Sequence, residues 1–173
     1  MKRVSSKTVY EGRIADVRID EFVYDDGETA TREIVTHDAV VAMLAYDERS
    51  IFLVRQPREA VDEPALLEIP AGKLDVEGES PLECARRELA EEIGKAAGNW
   101  RELKRFYTSP GFAEEEVTLF EATELSDSDV DPVPGERIEL VEWPLTDLDG
   151  AIEQCHDSKS LIGLLMLRRQ RAS

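Results

Sequence analysis

The segment Ser80–Gly94 constrains this chain more than any other stretch. Leu82, Ala85, Leu89 and Ile93 recur at the spacing of one helical face. Ser80-Pro81-Leu82-Glu83 has the form of a capping box, with proline at the first helical position, where its missing N–H costs nothing. Gly94 is a natural C-terminal stop. The spacing therefore predicts a helix over Pro81–Ile93. On it, Glu88 and Glu92 are four apart and share a face, with Glu91 adjoining. Like charges so placed weaken an isolated helix by about 0.2–0.5 kcal/mol per pair. Glu91 and Glu92 also lie in the last turn, where the helix dipole disfavours anions. Arg86 and Arg87 compensate in part, and Arg87 is placed to pair with Glu91. A hard divalent cation would offset both penalties; Mg2+ prefers carboxylate oxygen and retains waters for substrate phosphates. A solvated charged face is the plainer account of three glutamates on one helix. The preceding Ile69-Pro70-Ala71-Gly72 shifts the balance. It leaves a strand end just ahead of the helix, and its loop can bring a backbone carbonyl and Glu79 to the same region.

The rest of the chain reads mostly as strands. Val17–Tyr24 and Thr29–Thr36 flank Asp25-Asp26-Gly27 and predict a hairpin. Ala39–Tyr46 is almost continuously apolar, as in a strand buried on both faces. Ile51–Gln56, Ala65–Ile69, Trp100–Tyr107, Val117–Thr123 and Ile138–Trp143 are further strand-like runs. Ser126–Gly135 reads as a loop; Leu145–Gln154 and Lys159–Arg171 read as closing helices. The order is mixed rather than regularly alternating. It implies an α+β fold, or an α/β/α sandwich on a mixed sheet. Residues 1–36 form an N-terminal strand and hairpin region ahead of a main domain at 37–173.

At 173 residues and 42% hydrophobic content, the chain suits one domain with a core of its own. It has no apolar run long enough for a membrane span. The basic start MKRVSSKTVYEG lacks the apolar stretch of a secretory signal. Cys84 and Cys155 fit no metal spacing and read as reduced thiols of a cytoplasmic protein. The net charge of −17 argues against a nucleic-acid partner, since no basic surplus neutralises phosphates. Cations are better suited, although solvated surface and a salt-adapted source account for much of the charge equally well.

Taken together, Gly72…Glu79-x7-Arg87-Glu88-Leu89-Ala90-Glu91-Glu92-Ile93-Gly94 resembles the Nudix box, G-x5-E-x7-R-E-U-x-E-E-x-G-U with U a bulky apolar residue. Two positions depart from it: six residues separate Gly72 from Glu79, and Lys95 stands where the final apolar residue belongs. The loop insertion is tolerable if the helix keeps its register. The resemblance implies an α/β/α sandwich with Glu88 and Glu92 as the main metal ligands and Glu91 beside them. It also implies the carbonyl of Ala71 as a further ligand, Arg87 as an orienting partner, and a structural role for Glu79. The cofactor implied is Mg2+, with Mn2+ as a substitute.

The flanking residues resemble the ADP-ribose pyrophosphatase subfamily. Pro110 lies sixteen residues after Gly94 within Tyr107-Thr108-Ser109-Pro110-Gly111-Phe112, and Leu66–Gly72, Val54–Arg58 and Asp157–Ser160 are similar too. By itself Ser109-Pro110-Gly111 is an ordinary turn. The resemblance implies hydrolysis of a nucleoside diphosphate sugar, ADP-ribose to AMP and ribose 5-phosphate, or a GDP-mannose type of substrate. It also points to Glu115 as the general base, leaving Glu114 and Glu116 as loop surface. Arginine's planar fork suits a diphosphate. Arg58 matches the family's phosphate-gripping arginine, and Arg32 is a second candidate, with strand-surface charge as the even alternative. Pro110 and Gly111 join them as substrate-binding candidates. Phe22 and Tyr24 are available as a base platform, while His37 and His156 belong to no motif and suit surface or loop roles. A homodimer in which Val17–Thr36 crosses to the partner follows from the same resemblance. A regulator without turnover would show a broken box, and here Arg87, Glu88, Glu91 and Glu92 are intact. A purely structural acidic protein would not explain the capping box, the like-charge face and the Ser109–Gly111 turn together.

Overall fold

The computed structural model describes residues 1–130 and 137–172. The predicted helix is α1, Pro81–Ile93. Ser80 caps it in both directions: its Oγ accepts from the Glu83 N–H, and its own N–H donates to the Glu83 carboxylate at 2.8 Å. Gly94 ends it at φ 64°, a left-handed conformation that glycine adopts without Cβ strain.

Two sheets carry the strands. β1 (Lys2–Tyr10), β2 (Asp16–Val23) and β3 (Thr29–Thr36) form an antiparallel three-stranded sheet in that order. The hairpin was expected, but β1 was not. Its nine residues are all exposed, so no buried face marks it in the sequence. Pairing with β2, from Lys2 opposite Val23 to Tyr10 opposite Val17, is what organises it.

The main sheet contains β4 (Val40–Tyr46), β5 (Ser50–Arg58), β8 (Lys95–Tyr107), β9 (Glu116–Asp127) and β10 (Glu139–Pro144), in the order β10-β5-β4-β9-β8. β4 runs parallel to β9; the other pairings are antiparallel, so the sheet is mixed as expected. β4 and β5 pair only where they meet, at Ala45–Phe52 and Tyr46–Ile51. Beyond that they diverge: β6 (Glu63–Glu68) pairs with β5, and the short β7 (Ala71–Lys73) pairs with β4. β7 replaces what reads in sequence as a loop after Pro70. Of the expected loop Ser126–Gly135, the first two residues belong to β9, and 131–135 lie outside the described residues.

β4 shows why the fold has three layers. Val41, Met43 and Ala45 pack with Cys84, Ala85, Leu89 and Ile93 of α1. Val40, Ala42 and Leu44 pack on the opposite side with Leu148 and Ala151 of α2 (Leu148–Gln154) and Leu164 and Leu167 of α3 (Ser158–Arg171). Strand alternation thus sends successive apolar residues into two separate cores, giving an α/β/α sandwich. The first closing helix is shorter than expected, because Leu145–Asp147 forms a 3-10 turn before α2 begins.

Candidate active site

α1 presents its acidic face to the end of β7. Gly72 makes this possible. A Cβ on Gly72 would fall 1.9 Å from the Glu88 carboxyl carbon and 2.3 Å from its Oε1. The Glu88 side chain therefore occupies the space that any larger residue would fill. Glu92 accepts a 3.0 Å hydrogen bond from the Ala71 N–H. Strand and helix are thus brought together through their polar groups as well as their apolar ones.

Arg87 organises the carboxylates. Its Nε and one terminal amine donate to the two oxygens of Glu79 at 3.0 Å each. The other amine reaches Glu88 at 2.6 Å and Glu91 at 3.1 Å. The expected Arg87–Glu91 pair is present, and Glu79 anchors the arginine from the preceding loop. Hydrogen bonding to Arg87 depresses the pKa of Glu79. Glu88 behaves in the opposite way: burial raises its pKa, and repulsion from Glu91 and Asp75 adds to this despite Arg87. A divalent cation nearby would favour its charged form. Among the described residues no three His, Cys, Asp or Glu side chains already converge as a metal-holding group. Glu88 and Glu91 instead turn to Arg87, and Glu92 to the Ala71 N–H. The donors fit Mg2+ by chemistry, being carboxylate oxygens at the rim of an open cavity.

That cavity, of about 460 Å³, is lined by Glu88, Glu92, Ala71, Gly72, Gln56 and Arg58, among others. Arg58 is fixed from behind: Nε and one amine donate to Glu68 at 2.5 and 2.8 Å. Glu68 is 1% exposed and also receives the Lys159 amine at 2.6 Å. Lys159 in turn lies 3.0 Å from Asp157, whose carboxylate caps α3 through Ser160. Ser160 Oγ accepts from the Ile69 N–H at 2.8 Å, just before β7. This chain of polar contacts links the Arg58 strand, the β7 strand end and α3. In the sequence Asp157–Ser160 stands out only as a similarity and Glu68 is not singled out; an acid within an apolar strand run, Leu66-Leu67-Glu68-Ile69, is the available signal.

A second cavity, about 720 Å³, shares Arg58, Ala71, Gly72 and Lys73 with the first and adds Glu115, Ser109, His37 and Lys159. Glu115 therefore borders the same region as the glutamate helix. Its neighbour Glu114 is an exposed loop residue, as expected, and Arg18 of β2 grips it through both amines. Glu116 begins β9. His37 lies on the loop after β3 as expected, with Nδ1 2.8 Å from the Asp38 carbonyl and 3.5 Å from Glu115 Oε1.

The remaining substrate candidates sit elsewhere. Pro110 and Gly111 lie in a turn closed by the Phe112 and Ala113 N–H groups donating to the Ser109 carbonyl. They line a third cavity of about 830 Å³ with Arg32, Phe22 and Tyr24 of the N-terminal sheet. Arg32 donates to the Tyr24 hydroxyl at 3.3 Å. The structure thus separates Arg32, Pro110 and Gly111 from the cavity holding Arg58 and the glutamates, and places both aromatic candidates beside them.

The NUDIX domain family model matches residues 35–161. The chain belongs to the Nudix family. The match begins at the end of β3 and leaves most of the N-terminal sheet outside the family domain. Along nearly its whole length the chain is 36% identical to an ADP-ribose pyrophosphatase of Bacillus subtilis, covering 99% of this chain and 94% of that protein. It is 35% identical, over the same shares, to a methanol dehydrogenase activator of Bacillus methanolicus. A GDP-mannose pyrophosphatase of Citrobacter koseri is 32% identical over 81% of this chain and 73% of its own. A crystal structure of an ADP compounds hydrolase superposes with a TM-score of 0.85 at 22% identity, covering 98% of this chain and 92% of that one, so the shared fold includes the N-terminal sheet. Domain and relatives, with Arg87, Glu88, Glu91 and Glu92 of the box all present, make the chain a Nudix pyrophosphohydrolase.

Proposed function

We propose that the chain hydrolyses the diphosphate of a nucleoside diphosphate sugar, with ADP-ribose the leading candidate, giving AMP and ribose 5-phosphate. The observation that carries this reading is the shared wall of two cavities. Glu88, Glu92 and Arg58 open on one, Glu115 opens on the other, and Arg58, Ala71, Gly72 and Lys73 border both. The full-length similarity to an ADP-ribose pyrophosphatase supports the choice of substrate.

Glu88 and Glu92, with Glu91 at the margin and the Ala71 carbonyl, would hold Mg2+ or Mn2+. Bound there, the metal would offset the diphosphate charge and lower the pKa of water. Arg87, anchored on Glu79, keeps Glu88 and Glu91 in place. Arg58 faces the diphosphate with its guanidinium oriented by Glu68. Glu115 takes the proton from the attacking water; the oxygen bonds to one phosphorus, and the bridging P–O bond breaks. The cavity with Phe22, Tyr24, Arg32, Pro110 and Gly111 offers aromatic and polar surface for the nucleoside end.

The test is a substrate panel of ADP-ribose, GDP-mannose, ADP-glucose and diadenosine polyphosphates, with phosphatase-coupled phosphate release and with or without Mg2+. ADP-ribose should give the highest kcat/KM. GDP-mannose ranking first would move the chain to the alternative that its GDP-mannose pyrophosphatase relatives represent. Glu115→Gln should lower kcat by about 10²–10⁴-fold, the usual worth of a positioned base. An unchanged kcat would remove Glu115 from that role.

We also infer a homodimer of a cytoplasmic enzyme, residues 1–36 being the assembling region, with the hairpin Val17–Thr36 reaching across to the partner while Val35 and Arg18 stay bonded to the Phe112–Glu114 segment of their own chain. β1 is an edge strand with every residue exposed, and Val4, Val9 and Tyr10 are 52%, 49% and 61% exposed. Such an edge is normally covered or paired. Light scattering at micromolar concentration should give twice the 19.5 kDa chain mass; a monomer overturns the assembly.

A further inference from the structure

The loop carrying Glu115 does not stand alone. Its backbone on either side of Ala113 is hydrogen-bonded to the end of β3 in the N-terminal sheet: the Val35 N–H donates to the Phe112 carbonyl at 2.8 Å, and the Glu114 N–H donates to the Val35 carbonyl at 3.0 Å. The side chains repeat the connection. Both terminal amines of Arg18 meet the two oxygens of Glu114 in a bidentate pair. Arg18 is itself held by Asp20, which accepts its Nε–H at 2.9 Å. Asp20 is fully buried and is further held by Ser6 at 2.6 Å and Arg3 at 3.2 Å, both from β1. A continuous line of charge-assisted bonds therefore runs from β1 through Asp20 and Arg18 to Glu114, one residue before the base candidate.

Resting on the reading of Glu115 as the base, we propose that Arg18 and Glu114 are positioning residues: through them the N-terminal sheet sets where the Glu115 carboxylate stands. Three features support this over a simple surface ion pair. Arg18 is only 14% exposed along its side chain and is anchored on buried Asp20, so the guanidinium is held in place even though Glu114 is 49% exposed. A bidentate arginine–carboxylate pair fixes orientation as well as distance. Glu114 and Glu115 border different cavities, so holding the Glu114 side chain against β2 leaves Glu115 on the cavity it shares with Lys73, Gly72 and Ala71. The pair also weighs against Glu114 as the base, a choice that the sequence left to motif matching. Glu114 is committed to Arg18, and hydrogen bonding to that arginine depresses its pKa, which makes it a poor proton acceptor.

The experiment compares Arg18→Met, Glu114→Gln, the double variant and Glu115→Gln, using ADP-ribose and GDP-mannose with Mg2+ well below each protein's melting temperature. Glu114→Gln leaves Arg18 on Asp20, so it tests the clamp even where Arg18→Met, which strips a partner from buried Asp20, does not fold. Each single variant should lose about tenfold in kcat with KM changed less than twofold, within the roughly 10²-fold that a 1 Å misplacement can cost. The double variant should be no worse than the weaker single, because both changes break one interaction. Glu115→Gln should exceed them all. If Glu115→Gln collapses kcat while Glu114→Gln leaves it within twofold, the clamp is refuted and the base stands. If Glu115→Gln itself keeps its kcat, base and clamp fall together. Fully multiplicative losses in the double variant would also overturn the proposal.

Discussion

Replacing Gly72 by alanine puts a methyl group where the Glu88 side chain now lies. The added Cβ would sit 1.9 Å from the carboxyl carbon and 2.1 Å from Cγ, against the 3.4 Å where ordinary contact begins. The Glu88 end must therefore retreat by about 1.5 Å, since atoms this close are far inside their van der Waals separation. The backbone itself has no objection, because Gly72 is not among the positive-φ glycines. Alanine at such a site stabilises by about 0.4–1 kcal/mol through the unfolded chain. Against this, a displaced Glu88 loses its 2.6 Å bond to Arg87, and a hydrogen bond to a charged group contributes about 1.5–3 kcal/mol. Part of that loss is recovered, because the carboxylate escapes the burial that now raises its pKa. The net cost is about 0–2 kcal/mol, or up to about 8 °C in Tm for a domain of this size. The kinetic cost is larger: a metal-binding carboxylate moved by more than 1 Å should lower kcat by about 10²-fold or more. Differential scanning fluorimetry and Mg2+-dependent turnover measured together test this. A folded Gly72→Ala protein with near-normal kcat would refute the placement of Glu88 at the reacting centre.

Glu92→Gln should abolish most turnover while Tm without metal holds or rises, because the amide oxygen can still accept from the Ala71 N–H and the repulsion from Glu88 is relieved; normal Mg2+-dependent activity would sink the metal assignment. Arg58→Met should lower stability by about 1–3 kcal/mol, since fully buried Glu68 keeps only Lys159 of its two cations, and an unchanged urea midpoint would show that the pair adds nothing. Acid should weaken the fold below pH 4. Burial pushes the Asp20 pKa up, but Ser6, Arg18 and Arg3 outweigh it and hold the group at about 2, against 3.8 unfolded. Its stabilisation is complete above pH 3.8 and is lost as pH falls through 2, so Tm should drop between pH 4 and 2.5 and drop less in Asp20→Asn; a flat profile in the parent protein speaks against the network.

How much the sequence revealed depended on the range of the interactions involved. Helix α1 was readable to the residue because its signals are local: the cap, the proline, the apolar period and the stopping glycine all act within one or two turns. The acidic face followed, since i,i+4 geometry is a property of any helix. β4 was readable because burial on two faces leaves a continuous apolar run. β1 and β7 were not, for opposite reasons. β1 is exposed on both faces and is defined only by its pairing with β2, while β7 is three residues long and exists because β4 and β5 diverge. The site divides along the same line. That Glu88, Glu91 and Glu92 belong together was set by spacing along one helix. That Glu88 lies against Gly72, that Arg58 is backed by Glu68 and Lys159, and that Glu114 is occupied by Arg18 ninety-six residues away were decided only in three dimensions. Those contacts join segments that no local rule connects; their partners are chosen by which strands the two cores force side by side.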